Sequence, residues 1–293
     1  MTNRFVAALF ASALLFAACG SGDDVDPAAA GGPSPTAEGQ DGDDTDADAG
    51  TDDGDPSGSG ATTAPGGASA TQAPAATPAP VKKASEGEVN RPRAGSYVYD
   101  LDGRGTGPGC TDPNGCATPD GATSTDEVSY SGDVMTVKTT SSEGSGATTT
   151  RFRWEAKRLL LLQIRTDTAF GSFGCTFEKP VTVAKFPIKV ESYGKQTWKG
   201  DGCEGSSTIE IVGQEDVKDA SGKTWKTWKS NQDTVYDFGS VSGTIDGMQW
   251  QSPDLGWTIR SQEESDGTIT GGGPGGTGAN FQVEGTTALK SHP

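Results

Sequence analysis

Histidine is nearly missing from this chain of 293 residues: there is one, His292, next to the last position. That excludes His-based catalytic triads and His-ligated metal centres. Positive charge is scarce too, with 23 Lys and Arg against 40 Asp and Glu and a net charge of −17. Nucleic acid is therefore not an expected partner, because phosphate binding needs a basic face. Apolar residues make up only 32% of the chain, beside 43 Gly and 17 Pro. A good part of it is thus not expected to pack into a core. No long amphipathic helix is visible, and no pattern implies a cofactor.

What is present begins with an address. Arg4 precedes an apolar run from Phe5 to Ala18 that is too short for a comfortable bilayer span and matches a signal-peptide core. Leu15-Phe16-Ala17-Ala18-Cys19-Gly20 resembles a bacterial lipobox, with Phe16 where Leu is commoner. Residues 1–18 are read as a lipoprotein signal peptide, and Cys19 as the lipidated first residue of the mature chain. The expected partner is then a membrane, through that lipid. The expected location is the outer face of the cell membrane.

Residues 19–92 read as a disordered tether. From Gly20 to Pro80 there is no Lys, Arg or aromatic residue, and twelve acids fall there. Such a segment has too little apolar surface to offset the entropy lost on ordering. Its second half is rich in Thr, Ala and Pro and stiffer. A flexible chain of this length spans roughly 45 Å. Asp44, Asp46 and Asp48 imitate a calcium loop, but Ala49 stands where Gly is needed and Asp55 where Glu is usual. A solvated acidic spacer is the expected reading.

Composition changes after Lys83. All Trp and Tyr residues, and most Phe, lie beyond residue 90. Short alternating segments follow, such as Tyr97/Tyr99/Leu101, Val128/Tyr130 and Phe152/Trp154, separated by Gly, Asp and Ser. Each reads as a half-buried antiparallel strand. Arg158 to Ile164 is the most apolar run after the signal, and the alternation around it favours a strand over a short helix. The expectation is one all-β domain over residues 93–270, a single antiparallel barrel or a strongly curved half-barrel sheet. Residues 271–293 read as a disordered Gly-rich tail.

With Cys19 assigned to lipid, Cys110, Cys116, Cys175 and Cys203 remain, and three pairings are possible. Pro113-Asn114-Gly115 makes a local Cys110–Cys116 bridge easy, and Cys175–Cys203 would then tie the middle of the domain. Disulfides are favoured over zinc, because Cys175 and Cys203 do not form a tight ligand pair. Ser221-Gly222-Lys223-Thr224 imitates the end of a P-loop, but Val217 stands where its first Gly belongs. A chance turn is expected there.

The aromatic set is the ambiguous part. Much of it is expected to fill the core. A remainder, with Phe152, Trp154, Leu160, Leu162, Phe170, Trp198 and Trp250 as candidates, would line a cavity or groove for an apolar ligand. Exposed Trp would instead stack on sugars of a cell-wall glycan. No spacing selects a carboxylate pair for a hydrolase, so no catalytic residue is named and the reading leans away from an enzyme.

Several pieces in order carry a resemblance: Tyr97-Val98-Tyr99-Asp100, Cys175-Thr176-Phe177, Phe186 to Val190, Gln196-Thr197-Trp198, Ile211-Val212-Gly213, Gly222 to Trp225 with Trp228-Lys229, and Trp250 to Gly256. This order is similar to a family of uncharacterised secreted lipoproteins from high-GC Gram-positive bacteria. The resemblance covers about residues 95 to 265 and implies a curved antiparallel sheet with no assigned activity. A slighter likeness is to the LolA-like lipoprotein-carrier superfamily, which implies a half-barrel that shelters acyl chains. Together they imply a non-enzymatic binding or carrier module for an apolar or lipidic ligand, with a glycan-binding surface protein and a carboxylate-based hydrolase as alternatives.

Overall fold

In the computed structural model, residues 87–293 are described, except 108, 109, 111, 145, 169, 170 and 271–277. The signal peptide, Cys19, the tether as far as residue 86, and Phe170 lie outside the described residues. Within them the chain is all-β, with strands β1 (Gly95–Thr106), β2 (Cys116–Ala117), β3 (Thr123–Ser131), β4 (Val134–Ser141), β5 (Ala147–Glu155) and β6 (Arg158–Thr168) in the first half. The second half holds β7 (Gly171–Lys185), β8 (Glu191–Gly200), β9 (Cys203–Lys218), β10 (Thr224–Asp237), β11 (Val241–Ser252), β12 (Trp257–Ile269) and β13 (Ala279–Ser291).

Apart from the short β2, which pairs only with β1, each strand lies beside its neighbours in sequence, and β13 returns to pair with β1. The result is a closed antiparallel barrel of twelve strands. Closure removes the free edges that an open sheet would expose. Tight turns make this meander possible. Between β8 and β9 the loop is Asp201-Gly202, and Gly202 takes φ +68, the left-handed conformation such a two-residue hairpin needs.

The strand from Arg158 is confirmed as β6. Two boundaries differ from expectation. Residues 271–293 are not all tail, because Ala279–Ser291 forms the closing strand, with Phe281, Val283 and Leu289 buried inside. The sequence reading was misled by the Gly-rich stretch before it. Residues 87–92 are likewise not tether. They strap one end of the barrel: Ile188 N donates to Gly87 O (2.8 Å) and Asn90 N to Pro253 O (3.0 Å). Tyr130 Oη donates to Pro92 O (2.7 Å), and Arg91 Nη2 to Gly132 O (2.9 Å). Burial pushes the Tyr130 hydroxyl up to about 12, against the lowering effect of Arg91. Three connections at that end are thereby joined: β3–β4, β7–β8 and β11–β12.

The β9–β10 hairpin reaches the same end. Its tip passes β11 and β12, and Ala220 N donates to Leu289 O of β13 (2.8 Å). The P-loop-like segment is this hairpin's turn. Asp219 organises it, accepting from Ser221 N (2.9 Å), Lys223 N (2.9 Å) and Trp225 Nε1 (2.8 Å). His292, expected in a loose tail, packs edge-on against Trp225 at 5.8 Å.

The apolar interior concentrates toward the ends. Near the strapped end lie Tyr97, Trp257, Leu255, Phe152, Leu159 and Val183; toward the other lie Phe177, Trp198, Phe238 and Val241. The bridges Cys110–Cys116 and Cys175–Cys203 are both formed.

Candidate binding site

Strand pairing is uneven around the barrel, and one joint is weak. Among the described residues, β7 and β8 share one ladder pair, Phe177↔Gly200. Sequence explains part of this. Pro180 has no N–H to give to a ladder. The stretch Phe177 to Pro180 also leaves the β6 ladder, which jumps from Gln163↔Thr176 to Leu161↔Val181.

Side chains hold this seam in place of backbone. The Cys175–Cys203 bridge crosses from β7 to β9. Phe177 meets Trp198 edge-on at 5.3 Å. Gln196 Nε2 donates to Thr182 O (2.9 Å), and Lys185 N donates to Tyr193 Oη (3.1 Å). Burial raises the Tyr193 hydroxyl above its usual range, despite that backbone donor. The Lys185–Glu191 ion pair (3.5 Å) is solvated and adds little.

A groove of about 540 Å³ opens over the seam and runs on to β10, with Trp198, Gly205 and Tyr236 beneath it and Lys179, Lys195 and Glu204 at its sides. The Trp198 ring lies over Gly205, where an added Cβ would come within 2.3 Å of a ring carbon. Only glycine leaves room for that ring. Burial pushes the Tyr236 hydroxyl up to about 12, with Asp266 adding to the rise.

Inside the barrel, next to the seam, the inward face turns polar. Thr287, Ser261, Gln249 and Ser230 form one register row across β13, β12, β11 and β10. The next row is Gly285, Glu263, Gly247 and Gln232. The third runs Val283, Ser265, Ile245 and Thr234 to Ser207 on β9. Apart from the two glycines, these side chains are buried. Ser207 is in turn the register partner of Gln196, so the belt reaches the seam.

Part of the belt is satisfied internally. Ser261 and Thr287 hydroxyls meet at 2.7 Å, and Gln232 Nε2 donates to Thr234 Oγ1 at 2.8 Å. Other atoms have no hydrogen-bond partner among the described residues: Gln249 Oε1 and Nε2, Ser230 Oγ, Ser207 Oγ and Gln232 Oε1. An orphaned buried polar group costs about 1–3 kcal/mol. Eight strands give a lumen that side chains can just fill, and the diameter grows with strand number. Twelve strands lined here by Gly, Ser and Thr leave room for something else to meet these atoms.

On the solvent side of the same strands lies a second groove of about 680 Å³. Asp233, Asp246, Glu264 and Glu284 stand side by side along it on β10 to β13, ending at Arg104. Among the described residues none of the four is ion-paired. Burial, then the neighbouring Asp233 carboxylate and Glu264, raise Asp246 above the usual carboxylate range. Among the described residues, no three of His, Cys, Asp and Glu come together so as to hold a metal ion.

The seven candidates from sequence are not gathered into one cavity. Phe152 is a core residue paired with Met135 and Leu161. Trp154 is half-buried and stacks on Phe186 at 5.1 Å. Leu160 is buried between two core neighbours of opposite facing, and Leu162 is half-buried at a bulge. Trp250 is buried under Lys229 and Arg260, its indole N–H donating to Glu215. Phe170 lies outside the described residues. Only Trp198 borders either groove. Sequence reasoning missed the belt. Its signal is the alternation Ser230-x-Gln232-x-Thr234-x-Tyr236 and Ser261-x-Glu263-x-Ser265, in which polar residues occupy the inward phase.

No family model matches the chain, and no curated protein matches it. Among solved structures it is similar to a Bacteroides fragilis protein with a YmcC-like fold whose export is itself an inference, at 10% identity, over 69% of this chain and 97% of that one, with a TM-score of 0.28. A likeness that slight carries no argument about fold or function.

Proposed function

We propose that this chain is a lipid-anchored extracytoplasmic protein, a non-enzymatic binding or carrier module that takes a ligand into its barrel through the β7–β8 seam. The lipobox at Cys19 and the two disulfides support the compartment. The uncharacterised secreted lipoproteins it resembles would be proteins of the same kind. The observation that carries the binding reading is the orphaned polar belt beside the one weak joint of an otherwise continuous ladder.

Of the occupants expected from sequence, an acyl chain fits the aromatic ends but not the middle. A glycan held by surface Trp lacks its platform, since Trp198, Trp225, Trp250 and Trp257 are buried and Trp154 and Trp228 are half-buried. Native mass spectrometry of the protein taken from its own envelope tests the reading. A non-covalent occupant is expected. A chain that flies bare, and stays bare with every ligand class offered, contradicts it.

The hydrolase alternative has one observation in its favour: Asp233 and Asp246 interact within a groove. It predicts turnover that Asp246→Asn abolishes, whereas the binding reading predicts no effect of that change on occupancy.

A further inference from the structure

The orphaned atoms also say what kind of molecule fits them. The Gln249 side chain offers one acceptor and an NH₂ donor, both buried and both without a hydrogen-bond partner among the described residues. Beside it on β10, Ser230 Oγ gives and accepts; one level on, Gln232 Oε1 accepts; and Ser207 Oγ on β9 repeats the hydroxyl chemistry. Donors and acceptors therefore alternate across a patch about three strand spacings wide, roughly 15 Å. No Lys or Arg is among the buried side chains, so nothing inside is built to hold an anion. Groups that both give and accept, spaced a few ångströms apart on an uncharged frame, are sugar hydroxyls. Trp198 and Tyr236 lie one register step from Ser207 and Thr234, where ring faces cover the apolar face of a sugar.

We infer that the belt is a recognition site for a neutral saccharide, with Gln249 as its central bidentate contact and Ser230, Gln232 and Ser207 around it. This rests on the binding reading above. The saccharide is a free oligosaccharide or the end of a polysaccharide chain, and the two sources share the same hydroxyl chemistry.

The test exposes the full chain to neutral mono- to tetrasaccharides of glucose, galactose and mannose, and separately to the matching soluble polysaccharides, with retention read by native mass spectrometry and calorimetry. At least one saccharide is expected to bind. Gln249→Leu is expected to weaken it at least tenfold, the loss that two hydrogen bonds predict. Ser230→Ala and Ser207→Ala, which barely change the packing, should each weaken it about threefold to tenfold, and they keep the test decisive if Gln249→Leu fails to fold. Binding of oligosaccharides marks the free source; binding of polymer alone marks the chain end. Retention of no saccharide, with ordered water alone meeting the belt, overturns the inference. So does retention that these variants leave unchanged. A lipid found on the native protein would sink this inference while leaving the binding reading intact. A bare protein that retains nothing would sink both.

Discussion

The β7–β8 seam and the β9–β10 hairpin are neighbours in one sheet, yet they are held by different physics. β9 and β10 pair from Glu204↔Asp237 to Thr224↔Lys218, broken once beside Val212. β7 and β8 pair once and rely on a disulfide, a ring contact and side-chain hydrogen bonds. A ladder resists opening at every residue, whereas a stapled seam can part between its staples. Local stability follows this kind of contact, so the seam is the part of the wall expected to open first.

The largest effect should come from removing the staple. Cys175→Ser with Cys203→Ser is expected to cost about 3–4 kcal/mol, since the bridge closes a loop of 28 residues. Denaturant unfolding of the oxidised chain against this variant checks it. A smaller loss should follow at the far end of the hairpin. Asp219→Ala removes the acceptor of three N–H donors and is expected to cost roughly 1–2 kcal/mol without loosening the seam. Burial alone would raise Asp219, but the bonds from Trp225, Ser221 and Lys223 outweigh it and leave the carboxyl below its usual 3.8. Its contribution is therefore full above about pH 4 and lost as pH falls through the depressed value. The gap between wild type and variant in acid titration should close in that range.

Inside the barrel the sign reverses. Gln249→Leu, measured without ligand, is expected to raise stability by about 1 kcal/mol, because it removes two orphaned polar atoms. The smallest effect belongs to the outer acidic row. Asp246→Asn should stabilise the neutral-pH protein by a few tenths of a kcal/mol, since like charges stand opposite one another across β10 to β12 and are exposed to solvent. Asp246 is raised above 3.8, so the wild type gains stability as pH falls through that raised value, and the variant should lack this gain.

The strands were legible because their apolar phase is clear, and Phe152, Ile164 and Val137 were read in the right places. Both cysteine pairs followed from chain distance and one turn. The closing strand was not legible. Ala279–Ser291 follows seven residues rich in glycine, and its Phe281 and Val283 make too short an alternation to stand against that neighbour. The seam was not legible either, because periodicity tells which face is buried and not how many ladder bonds a strand makes. The belt was missed for a third reason. Hydrophobic alternation finds an inward face only where that face is apolar, and Ser230, Gln232, Gln249 and Glu263 point inward with polar side chains.

The central claim is that the wall opens locally at the seam toward the polar belt. Native-state hydrogen exchange, comparing the oxidised chain with Cys175→Ser/Cys203→Ser, tests it most directly. The account predicts that loss of the staple accelerates exchange along Glu178 to Lys185, Glu191 to Thr197 and the β9 amides around Ser207, while the β10–β11 ladder keeps the rate set by global unfolding. Equal acceleration in every strand, or a seam as slow as the β9–β10 ladder in both proteins, would contradict it.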